Sequence, residues 1–100
     1  MENLKPIKIQ RVQTGVRIEK RMLKVLKALA EVHDINLGDL LEAIVLHAFE
    51  GKSPFHDEGL KKIAALKEIY GMDYDASASH NLVEDEQNKS AGVIRDDQRY

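Results

Sequence analysis

A chain of 100 residues has room for one small domain, and a domain of this size buries a smaller share of its surface than a larger one, so association with a second copy is a natural source of stability. It has no cysteine, which excludes disulfide frameworks, thiolate metal sites and cysteine nucleophiles and fits a reducing, cytoplasmic setting. The formal charge of -2 hides a strong polarity: residues 1–27 hold eight basic side chains against Glu2 and Glu19, a local +6, whereas residues 54–100 hold six basic against ten acidic, a local -4.

Such an imbalance suits a basic element that meets phosphate while an acidic remainder keeps the protein soluble, with a merely solvated charged face as the plain alternative. Residues 1–8 carry charges and Pro6 in place of an apolar run, and the longest uninterrupted apolar stretch lies within residues 43–46, so neither a leader nor a membrane span is expected. Residues 1–10 show no clean period and read as a flexible basic arm. Over residues 12–18 the pattern alternates, with Val12, Thr14, Val16 and Ile18 on one side and Gln13, Gly15 and Arg17 on the other, which predicts a short amphipathic strand.

The period then changes from two to about 3.6. Met22, Leu23, Leu26, Leu29, Ala30 and His33 recur at helical intervals across residues 19–33, while Lys20, Arg21, Lys24, Lys27 and Glu31 take the remaining surface. His33 and Asp34 close this helix, and Asn36 opens a second as its N-cap, with Asp39 three residues on in an approximate capping box. Leu37, Leu40, Leu41, Ile44, Val45 and Ala48 spread over a broad arc before Gly51 ends the helix in the left-handed conformation. One short helix and one strand cannot cover an arc so wide, which asks for a second subunit. Ser53 and Pro54 restart the chain, and Leu60, Ile63, Ala64, Leu66, Ile69 and Tyr70 predict a third helix over residues 57–70, stopped by Gly71. Residues 76–100 are acidic and polar with scattered apolar side chains, and read as a disordered tail.

A lone strand leaves its peptide groups without a ladder partner, and no second strand of equal quality exists in the chain. Pairing with the same strand of a second copy about a two-fold axis is the economical solution. The even-numbered side of that ribbon would pack on helices, and Gln13, Gly15 and Arg17 of both copies would project outward. A two-stranded ribbon fits the major groove of DNA, where Gln pairs with adenine and Arg with guanine through bidentate hydrogen bonds.

Residues 12–50, from VQTGVRI through EKRMLKVLKALAEVHDINLGDLLEAIVLHAF, resemble without a gap the ribbon-helix-helix regulators of the Arc and MetJ type. The resemblance implies a mainly α fold with one short strand, an intertwined homodimer with an intersubunit two-stranded antiparallel ribbon; the additional C-terminal helix and the acidic tail fall outside it. The chain then divides into an arm (1–10), a ribbon-helix-helix DNA-binding and dimerisation domain (11–51), an additional helix (52–75) and the acidic tail (76–100). By position, the base readers are Gln13, Gly15 and Arg17, and the phosphate clamp at the second helix start is Asn36, Leu37 and Gly38. That clamp has a warrant of its own, since a helix start offers unpaired N–H donors and partial positive charge. Arg11, Lys20 and Lys24 are further candidates for the DNA backbone, with Arg21 beside them. There are two departures from the family: Gly15 has no side chain with which to read, which concentrates readout on Gln13 and Arg17 or brings the backbone close, and Asn36 and Gly38 stand where many members carry Ser or Thr.

Other chemistries find less support. His33, His47, His56 and His80 include no i, i+4 pair that would turn two imidazoles toward one ion. Asp73 and Asp75 lack the other ligands of a calcium loop. No Gly-rich phosphate loop or nucleophile-base spacing is readable, so a non-enzyme without cofactor or metal is expected. The expected function is that of a sequence-specific DNA-binding transcriptional repressor, bacterial, bound as a homodimer to double-stranded DNA at a palindromic operator. Two alternatives stay open: an antitoxin whose residues 54–100 bind a toxin as protein partner, and a helical protein-interaction module with no nucleic-acid role.

Overall fold

The structure, a computed structural model, describes residues 6–85. Three helices follow one another, α1 (Lys20–Val32), α2 (Leu37–Phe49) and α3 (Asp57–Tyr70), and a single 3-10 turn lies at Ala76–Ala78. Helix α1 is central, packed against both α2 and α3. No helix among the described residues is long and apolar enough to cross a membrane.

Each helix starts and stops for a local reason. At the head of α1 the Glu19 carboxylate accepts from the N–H groups of Met22 and Arg21, satisfying two donors that the helix itself leaves open. Asn36 does the same for α2, its Oδ1 accepting from the Asp39 N–H at 2.8 Å. Helix α3 has no side-chain cap, but Asp57 and Glu58 in its first turn and Lys67 in its last complement the helix dipole. All three end in the same arrangement, with a left-handed residue just past the helix: Asp34 (φ 58°), Gly51 (φ 69°) and Gly71 (φ 71°).

Val25, Leu29, Ala30 and Leu40 are the buried residues, and Leu29 is the most enclosed at 2% exposure. Leu26 and Ile44, with Phe55 from the α2–α3 connection and Ile63 and Leu66 from α3, pack half-buried around Leu29, Ala30 and Leu40. Met22, Val25, Leu26, Leu29 and Ala30 thus form one i, i+3, i+4, i+7, i+8 stripe on α1. Lys20, Lys24, Lys27 and Glu31 stay in solvent. Val25 belongs to this stripe although the sequence pattern did not single it out, and His33, expected on it, is exposed.

The structure corrects the expected fold class. Residues 6–18 are in neither helix nor strand, no strand occurs among the described residues, and Val12 and Val16 are 84% and 74% exposed. The described residues therefore form three α-helices rather than a short strand with helices, and they contain no ribbon. Alternation makes a segment two-faced, but a strand forms only where a ladder partner and a core face are both at hand. Here the helices pack on one another, and none of residues 12–18 belongs to the core they form. The expected arm lies partly outside the described residues, which begin at residue 6, and the expected tail mostly so, since 86–100 fall beyond them. Within the described part of that tail, Asp75 Oδ1 accepts from the Ser77 N–H and hydroxyl at 2.9 and 2.6 Å and sets up the Ala76–Ala78 turn.

Candidate nucleic-acid interface

The residues expected to meet DNA fall into three groups. Gln13, Gly15 and Arg17 are all exposed on the irregular segment, and a side chain at Gly15 would meet nothing within 4 Å. Arg17 Nη2 donates to the Glu84 carboxylate. Arg11 grips Glu42 on α2 with two hydrogen bonds, Nε at 2.9 Å and Nη2 at 2.8 Å, which fastens the irregular segment to that helix. The hydrogen bonds and charge of Arg11 lower the Glu42 carboxyl, and those of Glu42 raise the Arg11 guanidinium.

The second group is the start of α2. Asn36 spends its side chain on the Asp39 N–H, and a Cβ on Gly38 would come within 3.4 Å of that same Asn36 oxygen. Leu37 is half-buried and Gly38 exposed. Their N–H groups are the first-turn donors that a phosphate would use. Asp39 in the first turn of α2 adds, through its charge, to the raising of the Arg11 guanidinium. On α1, Lys20 and Lys24 are exposed, and Lys24 Nζ sits 6.0 Å from the centre of the Tyr70 ring.

Arg21, placed among the backbone candidates by sequence, is engaged elsewhere. Its Nε donates to Glu19 at 3.0 Å, its Nη1 to the Gly71 carbonyl at 2.9 Å and to Asp73 at 3.3 Å, and its guanidinium lies 5.5 Å from the Tyr74 ring centre. Tyr74 in turn donates its hydroxyl to Glu19 at 2.6 Å. Burial alone would raise the Glu19 carboxyl, but the hydrogen bonds from Tyr74, Arg21 and the Met22 N–H outweigh it and hold the group at about 2. Burial and the Glu19 charge together push the Tyr74 hydroxyl up to about 12. This half-buried cluster ties the chain after α3 to the head of α1. Sequence reading missed it, and its one signal was an aromatic side chain standing in a polar stretch.

Beside this cluster a groove of about 530 Å³ runs between α1 and α3. Met22, Leu26 and Ile63 line it from the helices, and Met72, Tyr74 and Leu82 line it from the segment beyond α3. Its wall is largely apolar, with Lys67, Asp75 and His80 as charged or polar members. Another apolar surface lies open at the end of α2, where Val45, Leu46 and Phe49 are exposed, Phe49 to 81%.

No known protein family, curated protein or solved structure matches the chain.

Proposed function

We propose that the chain is a DNA-binding transcriptional regulator that acts as a homodimer and represses by occupying its operator. The observation that carries this reading is the placement of charge: in the segment with a local +6, every described basic side chain except Arg21 is exposed. Gln13, Arg17, Lys20 and Lys24 are exposed, and the buried core does not use them. Arg17 and Gln13 contact bases, Arg11, Lys20 and Lys24 contact the sugar-phosphate backbone, and the N–H groups of Leu37 and Gly38 hold a phosphate under the Asn36 cap. The open apolar end of α2, with Val45, Leu46 and Phe49, supports self-association, since a contiguous apolar patch on a small protein marks a contact surface.

The test is a mobility-shift selection from native genomic fragments at low and moderate salt. Specific fragments are retarded, and their affinity falls with salt at a log-log slope of about -0.9 per phosphate neutralised. Arg17→Ala reduces the preference for the selected fragment over random DNA by roughly 1–3 kcal/mol. Gly38→Pro, which removes an N–H at the helix start, weakens both alike. Absence of any retarded fragment at low salt removes the reading, and an unchanged preference in Arg17→Ala removes the base-reading role of that side chain.

A second reading has its own observation. Leu60, Ile69 and Val83, all beyond α2, are exposed amid acidic residues, which suits a protein partner such as a toxin bound through residues 54–100. Co-purification of a defined protein with the full chain, lost on Ile69→Asp, distinguishes it.

A further inference from the structure

We propose that the acidic segment after α3 is a built-in competitor for DNA, which lays Glu84 on Arg17 and has to leave when a duplex binds. The inference rests on the DNA-binding reading above and adds a regulatory contact to it. Two features of different strength make the device. The first is an anchor: Arg21 holds the Gly71 carbonyl and Asp73, and Tyr74 holds Glu19, so the chain leaving α3 is turned back to the head of α1. The second is a loose contact further along: the Ala76–Ala78 turn follows, and Glu84 then reaches Arg17 across 67 positions of sequence.

The anchor is half-buried and multiply hydrogen-bonded, whereas the Arg17 and Glu84 side chains are 72% and 61% exposed. An exposed ion pair is weak and screened by salt, which is what a displaceable contact requires. Tethering keeps the carboxylate at high effective concentration near the arginine without a strong bond. Because Glu84 has to leave before any duplex binds, the fraction of molecules in which it is displaced scales the apparent affinity for every duplex by the same factor. The device thus restrains occupancy of all duplexes alike. Charge runs the same way, since residues 54–100 carry a local -4 opposite the basic segment.

Fluorescence anisotropy of the full chain tests this, with a duplex chosen by the genomic selection and an unrelated duplex of equal length. Glu84→Gln tightens both complexes roughly two- to fivefold, the range an exposed ion pair supports. Glu31→Gln, which removes the same charge from the exposed face of α1, gives a smaller gain. In an Arg17→Gln background, the gain from Glu84→Gln falls to that of Glu31→Gln. Hydrogen exchange at residues 82–85 speeds up when the selected duplex is added to the wild-type chain. No tightening in Glu84→Gln, an equal gain in Glu31→Gln, a gain from Glu84→Gln that is undiminished without Arg17, or exchange unaltered by DNA each overturns the competitor while leaving DNA binding standing. Failure of the wild type and of every variant to bind any duplex overturns both.

Discussion

Residues 6–18 and residues 20–32 are neighbours in the chain and are held by different physics. The second stretch is a capped helix whose apolar stripe is covered by α2 and α3, with Leu29 almost fully enclosed. The first has no regular structure, exposes Val12 and Val16, and is tied down by surface ion pairs from Arg11 to Glu42 and from Arg17 to Glu84. Burial fixes position at a cost that charge cannot match in water, whereas exposed charge remains free to exchange partners. The contrast assigns stability to α1 and its neighbours and recognition to the basic segment before it.

The contrast breaks most easily at its strongest point. Leu29→Ala opens a cavity against α2 and α3 and lowers stability by about 2–5 kcal/mol, whereas Val16→Ala removes exposed methyl groups and stays within about 0.5 kcal/mol. Urea denaturation followed by far-ultraviolet circular dichroism reads both. A loss at Val16 approaching that at Leu29 would erase the distinction, since it would place residues 12–18 in a packed core.

A smaller effect tests the joint between the two regions, where Glu19 caps α1 and receives the Tyr74 hydroxyl. Tyr74→Phe deletes a hydrogen bond to a charged acceptor while keeping the ring, and costs about 1–2 kcal/mol at neutral pH. The same joint sets the response to pH. The Glu19 carboxyl is depressed from its ordinary 4.5 to about 2, so its contribution is complete above 4.5 and is lost as pH falls through about 2. The Tyr74 hydroxyl is raised from 10.0 to about 12, so its contribution holds below 10 and is lost as pH rises through about 12. Chemical denaturation across both windows should show the alkaline loss disappear in Tyr74→Phe and the acid loss shrink. A wild-type acid profile that Tyr74→Phe leaves unaltered would separate the tyrosine from the cap.

The helices were legible in the sequence because their signals are local. Asn36 before Leu37, Gly51 after α2 and Gly71 after α3 mark ends through capping and left-handed geometry, which a few adjacent residues decide. The expected strand over residues 12–18 failed for the opposite reason. Alternation of Val12, Thr14, Val16 and Ile18 describes a two-faced segment, but its pairing depends on a partner that no pattern within those residues supplies. The candidate site divides in the same manner. The exposure of Gln13, Arg17, Lys20 and Lys24 follows from their polarity, but Arg11 on Glu42, Arg17 on Glu84 and Arg21 within the Glu19 and Tyr74 cluster join residues 31 to 67 positions apart. Spacing cannot announce such contacts.

The least effect is expected at the far end of α1, where one residue departs from its counterparts. After each helix a left-handed residue donates back to the carbonyl three before it and the next residue to the one five before it, as Asp34 and Ile35 do to Glu31 and Ala30 at 3.0 Å each. Glycine fills that position after α2 and α3, but Asp34 carries a side chain there at φ 58°. A left-handed backbone is strained for any residue with a Cβ, less so for Asp than for most, and glycine also has more freedom to lose on folding. Asp34→Gly therefore stabilises by only about 0.5 kcal/mol. It alters DNA affinity by no more than Glu31→Gln does, since the exposed Asp34 loses only its charge there. Arg17→Ala does the reverse, altering DNA preference with no shift in the urea midpoint. The two variants measured side by side, each by denaturation and by mobility shift, sharpen the division if their effects fall on different axes. If Asp34→Gly alters DNA affinity as much as stability, the end of α1 and the basic segment at its head are one coupled unit.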